Sequence, residues 1–136
     1  MIPDVDRPHF LIAGDSADLP VIRRMLGRLP VDAYGQVLVE VASRIQVQRM
    51  HLPAEMTLTW LLRDADGTAR CMAPRGERVV RAVRAWFDEW MGAGGHEAPR
   101  VIWIGCAASP RVGRLHRELR ERFPLLRPES AASRER

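Results

Sequence analysis

The sequence predicts an α/β protein: a doubly wound parallel sheet of four to five strands with helices on both faces. Three observations carry that expectation. Four short apolar runs alternate with segments whose apolar residues recur at helical spacing. The runs are apolar nearly throughout, as strands covered on both faces are. With right-handed crossovers such a sheet is doubly wound and takes ligands at the carboxyl ends of its strands.

Each element has a local reason. The run 9–13, His-Phe-Leu-Ile-Ala, ends at Gly14 and reads as a buried strand. Asp15 and Ser16 can cap the helix that follows, with Leu19, Ile22, Met25, Leu26 and Leu29 on one face. Pro20 falls in the first turn, where amide hydrogens lack helical partners, and Pro30 follows the end. Residues 36–42 make a second strand. The polar stretch 43–55 contains Pro53, which argues against a regular helix through it. Residues 57–62, Thr-Leu-Thr-Trp-Leu-Leu, are rich in β-formers and predict a third strand, with a turn at 64–67. A helix is expected over 76–91, burying Val79, Val80, Val83, Phe87, Trp90 and Met91, with glycines at 92–95 to end it. Residues 101–104 form a fourth strand. A last helix over about 109–123 turns Val112, Leu115, Leu119 and Phe123 inward. The 136 residues read as one domain, with a core of about 8–123 and a flexible tail over 124–136.

Composition removes several function classes. All 21 basic residues are arginine, so neither a Schiff-base lysine nor a phosphate-loop lysine exists. The net charge of +4 leaves attraction for anions open. The four histidines are scattered, and no zinc spacing or hydrolase triad is visible, so neither a catalytic residue nor a metal is expected. Cys71 and Cys106 fit no redox motif. The start of the chain has no signal-peptide pattern and the apolar runs are too short to span a membrane, so membrane insertion is not expected and a cytoplasmic protein is.

The natural phosphate site is the first strand-to-helix turn, Ala13 to Pro20. Gly14 permits a tight turn, and the helix start offers free amide hydrogens. The turn lacks the G-x-G-x-x-G fingerprint, and on local evidence it also reads as a plain capped helix. Asp15 and Asp18 would repel a pyrophosphate unless they point away.

The string LIAGDSADLPVIRRMLGRLP, then GQVLVEVAS, LTWLLRD and VIWIG, resembles the carboxy-terminal domain of siderophore-interacting proteins. That family shows A-G-D-E-T-A-L-P-A-I, G-x-x-x-x-E-V-A-D, V-x-W-L-x-R and V-W-V-A-G-E in the same order, and the match spans roughly residues 9–120. The resemblance implies a ferredoxin-reductase-type nucleotide-binding domain. Full-length members are flavoproteins that take hydride from NADPH or NADH and reduce ferric siderophores. Carried over by position, Gly14, Asp15, Ser16 and Ala17 would face the pyrophosphate. Arg63 would meet the adenosine phosphate, and Gly105 and Cys106 would lie near the nicotinamide.

Each residue also has a plain structural reading. Arg63 fits a surface ion pair, Cys106 a small buried hydrophobe, and Glu40 either a ribose acid or a mid-strand glutamate. Arg75, Arg78, Arg81 and Arg84 form a basic stripe that either steers an anion or faces solvent. The last helix reads as a surface laced with i,i+4 pairs.

Three departures from the family pattern matter. The flavin-binding barrel is absent from these residues, since the only tyrosine, Tyr34, has Asp32 where the R-x-Y-[ST] motif needs arginine. Ser16-Ala17 replaces E-T, and Gly105-Cys106 replaces G-E. The family's closing strand is not recognisable after Phe123. The chain alone is therefore expected to bind no FAD and to catalyse nothing, because hydride transfer needs donor and acceptor in contact. Two readings stay open: an NAD(P)H-binding half of a split ferric-siderophore reductase, working with a flavin-domain protein or full-length reductase and meeting the siderophore only indirectly; or a non-catalytic binding or regulatory module derived from it. A third, a basic nucleic-acid binder, rests on charge alone, and nucleic acid is not expected as a partner.

Overall fold

The computed structural model describes residues 7–64, 72–91, 100–124 and 129–130. Its strands are β1 (His9–Asp15), β2 (Tyr34–Val41), β3 (Glu55–Leu62), β4 (Arg100–Ile104) and β5 (Glu129–Ser130). Its helices are α1 (Leu19–Arg28), α2 (Glu77–Met91) and α3 (Pro110–Arg122). The strands form one sheet in the order β3-β2-β1-β4-β5, and every pairing is parallel. The chain builds outward from β1 to β3 and then crosses to the other side of β1. The switch point therefore lies between β1 and β4, where Ala13 pairs with Ile104.

Alternation along β1 sends successive side chains to opposite faces. Phe10 and Ile12 join Val37, Val39 and Trp103 beneath Leu19, Ile22 and Leu26 of α1. Leu11 and Ala13 join Leu38, Ile102 and Ile104 against Val79, Val83 and Phe87 of α2 and Val112, Leu115 and Leu119 of α3. Both faces of the central strands are thus dry, which explains why they read as continuous apolar runs.

Several expectations are corrected. β1 continues through Gly14 to Asp15, and α1 proper starts only at Leu19, after a 3-10 turn over Ser16–Asp18. Trp86, absent from the predicted apolar side of α2, is 3% exposed and sits in the core. A closing strand does exist: Glu129 and Ser130 pair with Trp103 and Ile104, within the stretch expected to be a flexible tail. The only ion pair of α3 among the described residues runs to another helix, from Glu118 to Arg84 at 2.8 Å, in place of the expected i,i+4 lacing. Arg81 lies 4.0 Å from Glu77, so the α2 stripe is itself partly paired. The glycine run at 92–95 and most of the turn at 64–67 lie outside the described residues.

One buried histidine is expected to make the fold sensitive to pH. His116 on α3 is 6% exposed, and its Nε2 lies 3.3 Å from the Ile104 carbonyl. Burial holds the imidazole below its ordinary 6.5, against the Ile104 hydrogen bond and with help from Arg120. The folded state therefore takes up a proton on this side chain less readily than the unfolded chain, which does so as the pH falls through about 6.5. Its contribution is complete above that value and is lost on acidification. Unfolding free energy is expected to fall between pH 7 and pH 5, and His116→Gln is expected to flatten that slope. Denaturant titrations across this range measure both; an unchanged slope in the variant would assign the effect to another group.

Candidate strand-end site

The turn after β1 is organised by two carboxylates. Asp15 ends the strand, and its Oδ1 accepts the amide of Ala17 at 3.0 Å. Asp18 closes the box, its Oδ2 accepting the amide of Asp15 at 3.0 Å. The same oxygen accepts the amide of Cys106, beyond the end of β4, at 2.8 Å. Asp18 is only 9% exposed. Its carboxylate lies over two glycines, and they make the room for it. A Cβ on Gly14 would come within 2.8 Å of Oδ2, and one on Gly105 within 2.4 Å.

A third carboxylate commands the start of α2. Glu40, on β2 opposite Asp15, is 3% exposed. Its Oε1 accepts the amide of Gly76 at 2.8 Å, and Oε2 accepts those of Arg78 and Val79, each at 3.1 Å. Glu40 is therefore the anion at this helix start. Neither sequence reading foresaw that role, because both of its oxygens serve a helix far along the chain.

Beside these groups a cleft of about 140 Å³ opens at the strand ends. It is lined by Asp15, Ser16, Ala17, Glu40, Ala42, Gln46, Arg63 and Arg75. Gln46 Oε1 accepts the amide of Ala42 at 2.6 Å. Arg63 is fixed by its backbone, its amide donating to Val41 at 2.9 Å and its carbonyl accepting from Ala73 at 2.8 Å. Of the residues singled out from sequence as site candidates, Asp15, Ser16, Ala17, Glu40 and Arg63 share this cleft. Gly14, Gly105 and Cys106 gather at the neighbouring Asp18 carboxylate. Sequence reasoning missed Gln46, which has no local signal, and read Arg75 only as part of a stripe.

The electrostatics follow from this crowding. Burial pushes the Asp15 carboxyl up, and the Asp18 charge adds to it. Burial, then the charges of Asp15, Asp18 and Glu40, drive the Cys106 thiol far above its ordinary range. It remains a protonated, 2% exposed core group. Cys106 also takes a φ of 57°, a left-handed conformation that costs a non-glycine residue roughly 1–2 kcal/mol; its hydrogen bond to Asp18 helps to hold it there. Ligand atoms of Asp15, Asp18 and Cys106 lie within 4.8 Å of one another. A protonated thiol and a carboxylate already held by two amides make a poor donor set for a metal.

A family model for siderophore-interacting proteins matches residues 7–133. The chain belongs to the siderophore-interacting protein family. Among solved structures it is similar to a siderophore utilization protein from T. fusca, at 24% identity and a TM-score of 0.67 over 90% of the chain. It is also similar to the siderophore-interacting protein SipS from Aeromonas hydrophila, at 26% identity and a TM-score of 0.50 over 71% of the chain. It spans 42% and 37% of the length of those two proteins.

The resemblance calls for a nicotinamide dinucleotide at the strand ends, and the residues present do not fit one. The amides of Asp15, Ala17, Cys106, Gly76, Arg78 and Val79 already donate to side chains of this protein. The space over Gly14 and Gly105 holds a carboxylate, against which a pyrophosphate would be both crowded and repelled. A cleft of 140 Å³ is also small beside the roughly 300–1,000 Å³ of ordinary small-molecule sites. What remains is a phosphate-sized space beside Arg63 and Arg75.

Proposed function

We propose that this protein serves siderophore-linked iron acquisition as a non-catalytic module: a reductase-type nucleotide domain whose anion site is filled from within. It acts by docking on a flavin-bearing reductase partner, without delivering hydride. The observation that carries this reading is the Asp18 carboxylate, buried over Gly14 and Gly105 and bonded to the amides of Asp15 and Cys106.

A second reading is favoured by one feature. Arg63 and Arg75 share the cleft, and neither guanidinium has a carboxylate partner among the described residues. Two such cations suit the adenosine 2′-phosphate that NADPH carries and NADH lacks, as the NAD(P)H-binding half of a split ferric-siderophore reductase would use it. Calorimetric titration with NADPH and NADH decides between the two, run beside Arg63→Ala. The module reading expects no binding at millimolar nucleotide. Micromolar binding weakened by Arg63→Ala would overturn it in favour of the split reductase.

A further inference from the structure

A second hollow lies away from the strand-end cleft, between α1 and β4. Helix α1 covers β1 and β2, but the α1 side of β4 is only partly covered, and Val101 there is 46% exposed. The result is a cavity of about 240 Å³ walled by Phe10, Ile12, Met25 and Trp103, with Arg24 and Arg28 at its rim.

Three features define what it would hold. Its walls are apolar and aromatic, and its lining contains no acidic residue. Arg24 and Arg28 are like charges one helical turn apart and exposed, an unfavourable pairing unless an anion joins them. Neither has a hydrogen bond or ion pair among the described residues. Trp103, 3% exposed, brings its indole into that wall, its N–H buried without an acceptor among the described residues, as are those of Trp86 and Trp90 elsewhere in the fold. Size narrows the class further. An apolar cavity of about 150 Å³ accepts benzene, and drug-sized ligands take about 300 Å³ or more. The volume of about 240 Å³ falls between them.

We propose that this cavity binds a monocyclic aromatic acid, its ring against Phe10, Ile12 and Trp103 and its carboxylate between Arg24 and Arg28. The guanidinium pair supplies the anion contact, and the aromatic wall supplies the ring contact. The inference does not depend on the reading of the strand-end cleft, because none of the lining residues is shared.

Benzoate is the probe, with benzamide as its uncharged counterpart. Titration followed by calorimetry and by the indole N–H resonance of Trp103 should show benzoate bound and that resonance shifted. Benzamide is expected to bind at least about tenfold more weakly, and an Arg24→Ala/Arg28→Ala variant to lose benzoate affinity by at least about tenfold. Both arginines are exposed, so the variant is expected to stay folded, checked by its unchanged melting temperature. No benzoate binding at millimolar concentration would overturn the proposal. So would equal binding of benzamide, affinity untouched by the double substitution, or a stable dimer in ultracentrifugation whose contact covers Trp103.

Discussion

Glu40→Ala is expected to lower unfolding free energy by about 3 kcal/mol, the largest effect of a single substitution at the strand ends. Glu40 accepts three amides at the start of α2, with both oxygens engaged. Removing it leaves the Gly76 and Val79 amides buried without an acceptor and leaves the first turn of α2 with Glu77 as its remaining acid. Gly76 has a φ of 86°, and a Cβ there would meet Ser109 Oγ at 2.2 Å, so the entry to α2 needs glycine at this position. A domain of this size has about 5–15 kcal/mol in total, so the loss is a large share. Glu40→Gln keeps one acceptor oxygen and gives up the charge, and is expected to fall between wild type and alanine. Urea denaturation monitored by circular dichroism measures all three. A loss below about 1 kcal/mol in the alanine variant would mean that water satisfies those amides, and that Glu40 is not their structural anion.

Asp18→Ala is expected to act in two directions. It removes the acceptor of two amides and opens a hollow over Gly14 and Gly105, which should cost about 2 kcal/mol. It also turns two inward amides into an anion site at the switch point, beside the Arg63 and Arg75 cleft. Inorganic pyrophosphate should therefore raise the melting temperature of the variant by mass action and leave wild type unchanged. Asp18→Asn retains an acceptor and should show neither the full loss nor the gain. A pyrophosphate response of equal size in wild type and Asp18→Ala would contradict the internal-anion account.

Much of the fold was legible because the central strands are buried on both faces, which leaves the apolar runs at 9–13, 36–42 and 101–104 little ambiguity. β5 was not. Glu129-Ser130 is a polar dipeptide without periodicity, and pairing to β4 alone makes it a strand. Trp86 lies outside the single stripe that spacing predicts, because the face of α2 that meets both sheet and α3 is wider than that stripe. The strand-end residues were found through the family pattern, and the structure does bring Asp15, Ser16, Ala17 and Arg63 together. What the sequence could not reveal was direction. Whether Asp18 points out or in depends on the approach of Gly105, which only the pairing of β1 with β4 brings alongside Gly14. Glu40 likewise has no local signal, since its partners lie across the fold at the start of α2.

The most direct test of the central claim follows the backbone amide resonances of Asp15 and Cys106 while NADPH is added to the wild-type protein. With both amides held by Asp18, neither resonance is expected to move at millimolar nucleotide, and both are expected to move in Asp18→Ala. Saturable shifts of the two amides in wild type would show that the nucleotide displaces the carboxylate, and would contradict the account.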